Sequence, residues 1–280
     1  MPPLALFDVD DARHYCRTFN TSAGLSLGSI DAFMASMPGT RLLREATLDF
    51  DHYRDCSLRD AERRLFMAVS HYRRSLDLMT PGAAWWAHVT LYYGSFFAAS
   101  ALLAMFGARV LKGRRIEVNT GAAGHQALSI LGGWGSTHTG SHQRFWDIFY
   151  SSALALIPVV NPPLRIGLSP VTARATWQTE TRNLINYDTH HALQVAEQFE
   201  ASFDKQQFPG SLPGLVQTQF AVCEALVLIA LSFAKDFGLA TDALGALGPA
   251  GTRRTKLRRL VFDPRPPGLV RKIKRSQCLV

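Results

Sequence analysis

Residues 85–109 read WWAHVTLYYGSFFAASALLAMFGAR, and the fold turns on them. The run is apolar on nearly every side, where a surface helix would show a single stripe. Its small residues, Gly94, Ser95, Ala98, Ala99 and Ser100, let a neighbouring backbone approach closely. Both properties suit a helix enclosed by other helices. The expected fold class is therefore all-α, a bundle of about five main helices with this one at its centre. Thr80-Pro81 supplies a start signal, with threonine as cap and proline in the first turn. His88 reads as a hydrogen-bonded histidine of the core or of an interface.

Ahead of this stretch, Ser57-Leu58-Arg59-Asp60 resembles a capping box. Ala61, Leu65, Val69, Tyr72, Leu76 and Met79 then recur at spacings of three and four, which predicts a helix from Ser57. Arg63, Arg64, Arg73 and Arg74 fall mostly off the stripe and read as a solvated face. Residues 1–56 hold no long period. They are expected to form an N-terminal extension, with a short helix over Ser29–Met37 stopped by Pro38-Gly39.

Behind the central run, Val110–Thr120 is β-branched around Gly113 and predicts a short hairpin-like ribbon. Gly121–Ser141 reads as an irregular crossover, apolar enough for a helical turn only over His125–Leu131. Further helices are expected over His142–Leu156, Pro170–Phe203 and Leu215–Phe237, the last closed by Gly238. A loop from Asn161-Pro162-Pro163 to Ser169 and a turn at Pro209–Gly214 separate them. The bundle then spans residues 57–238, and residues 239–280 form a small-residue linker and a basic tail.

Thirty Lys+Arg against twenty-two Asp+Glu give a net charge of +8, which favours anionic partners. Much of that excess lies in the tail, including Arg253, Arg254, Lys256, Arg258 and Arg259. These are candidates for phosphate contacts on nucleic acid, since such contacts need charge rather than shape; a solvated tail is the alternative. Leu91–Gly107 and Phe220–Ala234 fall short of the ~20 apolar residues of a membrane span, and the second carries Glu224. Both predict buried helices of a soluble bundle with no membrane partner. Four scattered cysteines, Cys16, Cys56, Cys223 and Cys278, give no disulfide framework. The acidic start MPPLALFDVDDARHY lacks the pattern of a signal peptide, and a cytoplasmic location is expected.

The chemistry concentrates in Thr181–His191 (TRNLINYDTHH). On one continuous helix Arg182, Asn186 and His190 are four apart and share a face. A guanidinium and an imidazole there would suit metal-independent RNA cleavage, with a base for the ribose hydroxyl and a cation for the phosphorane. His138 and His142 have the spacing of paired metal ligands, but they straddle a loop and a helix start without a third ligand. Gly132-Gly133-Trp134-Gly135 lacks the lysine of a phosphate loop. No metal or other cofactor is expected.

Arg182-Asn183, a preceding helix with Tyr92-Tyr93, and a helix opened by Ser141-His142 with Phe145-Trp146 together resemble the HEPN domains (higher eukaryote and prokaryote nucleotide-binding). The resemblance covers residues 57–238. It implies a helical bundle that pairs as a homodimer and acts on or binds RNA or nucleotides. Many such domains are metal-independent ribonucleases of toxin–antitoxin or phage-defence systems, which implies a cognate antitoxin or partner protein. It carries the family's catalytic roles onto Arg182 and Asn183. The family's histidine is separated from the arginine by four to six residues. Tyr187 stands at the nearest of those positions, and His190 comes after seven intervening residues, so the motif is degenerate. Tyr187 could bond a phosphate, although a phenol is a poor general base at neutral pH. The other functional class is a non-catalytic interaction or sensor subunit.

Overall fold

The computed structural model describes residues 8–17, 19, 41–80, 82–111, 114–120, 126–132, 141–156, 162–174, 176–208 and 210–239. The short helix expected over Ser29–Met37, His138 and the basic tail lie outside them. The chain is an all-α helical bundle with eight α-helices among the described residues: α1 (Val9–Arg17), α2 (Leu48–Asp77), α3 (Ala84–Met105), α4 (Ser141–Leu156), α5 (Pro162–Ala173), α6 (Trp177–Tyr187), α7 (Thr189–Ser202) and α8 (Gly214–Asp236). Four short strands accompany them: β1 (Arg41–Arg44), β2 (Arg109–Leu111), β3 (Arg114–Thr120) and β4 (Gln126–Gly132).

The central run forms α3, and α2, α6, α7 and α8 all pack against it. Leu91, Tyr92, Ala98, Ala99, Ala101 and Leu102 are wholly buried. Gly94 lets α8 approach, because a Cβ there would lie 2.8 Å from Cys223 Sγ. By length and composition α3 and α8 are apolar enough to cross a membrane, yet most of each is buried inside the bundle. Glu224 of α8 accepts from the Tyr72 hydroxyl at 3.1 Å.

The helix expected to start at Ser57 starts instead at Leu48. Thr47 is its cap, accepting from the Phe50 N–H, and Asp49 and Asp51 occupy the first turn. The boundary expected between residues 56 and 57 therefore falls inside α2. Periodicity missed this segment because its buried side carries ions. Arg54 lies between Asp51 (2.7 Å) and Asp55 (2.9 Å), and the side chains of Arg54 and Asp55 are only 5% exposed. A count of apolar residues scores such a face as polar.

The expected loop from Pro162 to Ser169 is a helix, α5, with Pro170 inside it. A proline there has no N–H for the carbonyl one turn back. Ser169 Oγ donates to that carbonyl, Ile166 O, at 2.8 Å, so the proline marks no boundary.

The ribbon expected at Val110–Thr120 is present as β2 paired with β3, and it belongs to a larger antiparallel sheet in the order β1-β4-β3-β2. Within that sheet Gln126–Gly132 is a strand, not a helical turn, paired with β3 along its whole length and with β1 on its other side. A short apolar run fits either state by periodicity alone; here two neighbouring strands decide it.

Candidate functional site

Residues 170–203, expected as one helix, are divided among α5, α6 and α7. The decisive break is at Asp188, whose backbone leaves the helical region (φ −109°, ψ 100°). Its carboxylate caps α7, accepting from the N–H of His190 at 3.0 Å and of His191 at 3.4 Å. The same carboxylate meets His191 Nδ1 at 2.9 Å. Those bonds, led by the one from the His191 side chain, hold the Asp188 pKa below the usual carboxylate value. Aspartate is a strong N-cap, and one in a long periodic run can start a new helix. Periodicity alone reads through it.

Arg182 and Asn186 accordingly lie on α6, whereas His190 opens α7. The His190 side chain is exposed and bonds Gln194 at 3.0 Å. The expected Arg182–Asn186–His190 face does not exist. Arg182 and Asn183 do stay together, with Arg182 Nη1 donating to Asn183 Oδ1 at 3.0 Å. Tyr187, the last residue of α6, places its ring centroid 5.9 Å from the Arg182 guanidinium carbon.

The Arg182 guanidinium also lies 5.7 Å from the Tyr92 ring and 6.0 Å from the Tyr93 ring, both on α3. Its Nη2 donates to the Tyr93 hydroxyl at 3.2 Å. Three tyrosines thus surround one cation, an arrangement that the quadrupoles of the rings favour. The Arg182 Nε is buried and has no hydrogen-bond partner among the described residues.

The histidine that joins this cluster is His142, on α4. Tyr92 Oη and His142 Nδ1 are 2.8 Å apart, and Trp146 Nε1 donates to the same Tyr92 oxygen at 3.4 Å. Burial pushes the Tyr92 pKa up, so the hydroxyl keeps its proton. Burial first, and then the charge of Arg182, holds His142 below the ordinary imidazole range. A neutral imidazole donates at one ring nitrogen and accepts at the other. In the sequence Tyr92 and Tyr93 mark a helix, and His142 stands out only as the second of the His138–His142 pair. Nothing in their spacing joins three separate helices.

The electrostatic setting of Arg182 differs from that of the buried arginines. Arg54, Arg59 and Arg109 are buried and each meets a carboxylate: Asp51 and Asp55, Glu62, and Asp60 respectively. Arg182 is half-buried and meets none among the described residues. A cation in that state can take an anion as a further hydrogen-bond partner. No group of three or more His, Cys, Asp or Glu residues among the described residues could hold a metal ion. Arg253, Arg254, Lys256, Arg258 and Arg259 lie outside the described residues. No family model, curated relative or solved structure matches the chain.

Proposed function

We propose that this chain is a HEPN-like helical module that binds RNA or a nucleotide at the Arg182 cluster. One observation carries the reading: a half-buried guanidinium, held among tyrosines, that no carboxylate neutralises among the described residues. A phosphate supplies the missing charge, and two or more guanidinium N–H groups suit its oxygens. His142, 2.8 Å from the Tyr92 hydroxyl, adds an imidazole to the same cluster. Binding is the function this geometry supports best. Cleavage would need a free base beside Arg182: His190, the residue expected to serve, is on another helix and bonds Gln194, and His142 Nδ1 is engaged with the Tyr92 hydroxyl. The wider setting, a cytoplasmic homodimer working with a cognate antitoxin or partner protein in a toxin–antitoxin or phage-defence pair, is part of the same proposal. So is phosphate contact by the basic tail.

Arg182→Ala is expected to weaken binding of a single-stranded RNA oligonucleotide by about tenfold or more, the scale of a lost charge-assisted hydrogen bond. Fluorescence anisotropy at fixed salt would read this. Equal affinity for wild type and variant would remove the reading. The same preparations incubated with RNA and a chelator would test for metal-independent cleavage.

A partner-docking role is the second reading, supported by Leu184 and Leu193, which are 40% and 56% exposed on α6 and α7. Leu193→Glu separates the two. Loss of a protein partner or of dimerisation with RNA affinity intact would favour docking.

A further inference from the structure

Tyr187 is the most exposed aromatic side chain among the described residues, at 75%. Tyr15, Tyr53 and Tyr92 are wholly buried by contrast, and Tyr72 nearly so. A single exposed ring is ordinary on a protein surface. Its position is what distinguishes this one. The ring lies 5.9 Å from the Arg182 guanidinium carbon, beside the cation assigned to a phosphate. The α6–α7 break follows at once at Asp188, so the next turn of α6 is not there to cover it.

We infer that Tyr187 is a stacking platform for one nucleobase of a single-stranded RNA whose phosphate is held by Arg182. The inference rests on the phosphate-binding reading and adds a ligand class to it. In a nucleotide the base and the phosphate are separated by one sugar, so a ring next to a phosphate-binding guanidinium is placed for both ends. An aromatic ring is sequence-tolerant, because every base has a π-face. A duplex holds its bases stacked on one another and offers no free face, so single strands are selected over duplexes. At this position a histidine would supply a titratable group; tyrosine supplies a broader ring.

The test uses the full chain and three ligands: a single-stranded RNA decamer, an abasic decamer with the same phosphates, and the RNA as a duplex. Wild type should bind the single strand more tightly than the other two. Tyr187→Ala should weaken the single strand about tenfold, the scale of one lost base–aromatic contact, and the abasic strand clearly less, since that strand loses only what one of three rings gives Arg182. Tyr187→Phe should stay within about twofold of wild type. Arg182→Ala should weaken both strands. Because Tyr187 is exposed, its variants should keep the wild-type circular dichroism and melting temperature.

If Tyr187→Ala binds the single strand like wild type while Arg182→Ala does not, stacking is wrong and phosphate binding survives. Equal weakening of both strands by Tyr187→Ala would make Tyr187 a support for Arg182, which also overturns stacking. If Arg182→Ala leaves every affinity unchanged, or wild type binds nothing, the underlying reading fails and this inference fails with it.

Discussion

At acid pH the wild-type chain is expected to lose about 3 kcal/mol of stability that His88→Leu retains. His88 sits on α3 at 0% exposure, and neither ring nitrogen has a hydrogen-bond partner among the described residues. The histidine expected to be satisfied in the core is in the core but unpaired there. Burial drives its pKa down to about 4. In the unfolded chain an imidazole titrates near ~6.5. Between those values the unfolded state takes up a proton that the folded state refuses. The stabilising contribution is therefore full above pH ~6.5 and drains away as pH falls towards 4. At about 1.4 kcal/mol per pH unit, that interval amounts to about 3 kcal/mol. Leucine removes the titration. It also removes two buried, unpaired nitrogens, so the variant should be the more stable protein at neutral pH too, by about 1 kcal/mol or more. Thermal melts at pH 4.5 and pH 7.5 decide the matter. Parallel pH dependence in variant and wild type would show that His88 is not the group responsible.

Gly167→Val is the second large effect, an expected loss of about 3 kcal/mol. A Cβ at Gly167 of α5 would lie 2.8 Å from Ala225 Cβ and 3.0 Å from the Ala221 carbonyl of α8. Neither neighbour can swing aside, since one is backbone and the other is fixed to it. Gly94 of α3 is a contrasting crossing, because the first atom its Cβ meets is Cys223 Sγ. Shortening that side chain relieves the contact. The pair Gly94→Ala with Cys223→Ala should accordingly be more stable than the sum of the two single changes implies. Gly167→Val should have no such rescue in Ala225→Gly, because the Ala221 carbonyl remains. Chemical denaturation of the wild type and these six variants measures both claims.

The fold was readable where burial is achieved with hydrocarbon. Leu91, Ala98 and Leu102 of α3, and Phe220, Leu226 and Phe233 of α8, bury themselves with no polar disguise, so their composition alone placed them inside. It was unreadable where polar groups are buried in pairs, as with Arg54 and Asp55, or where one hydroxyl offsets a missing N–H, as Ser169 does for Pro170. Half of the site followed the same rule. Arg182 and Asn183 are neighbours in sequence and remain so in space. His142 meets the cluster at Tyr92, fifty residues earlier in the chain, and that relation exists only once α3 and α4 have packed. His190 was misplaced because spacing is a statement about angle around one axis, and Asp188 changes the axis.

That change of axis also governs how the bundle opens. It leaves α6 with 11 residues and α7 with 14, lengths at which an isolated helix is marginal in water. Val195 and Phe199 are the buried residues of α7, whereas most of α3 and α8 is enclosed. Amide protons over residues 177–202 should therefore exchange with deuterium through local opening, well before those of α3 and α8, which await global unfolding. Ligand held at Arg182 would be felt there first, as slowed exchange across two helices that otherwise protect themselves poorly.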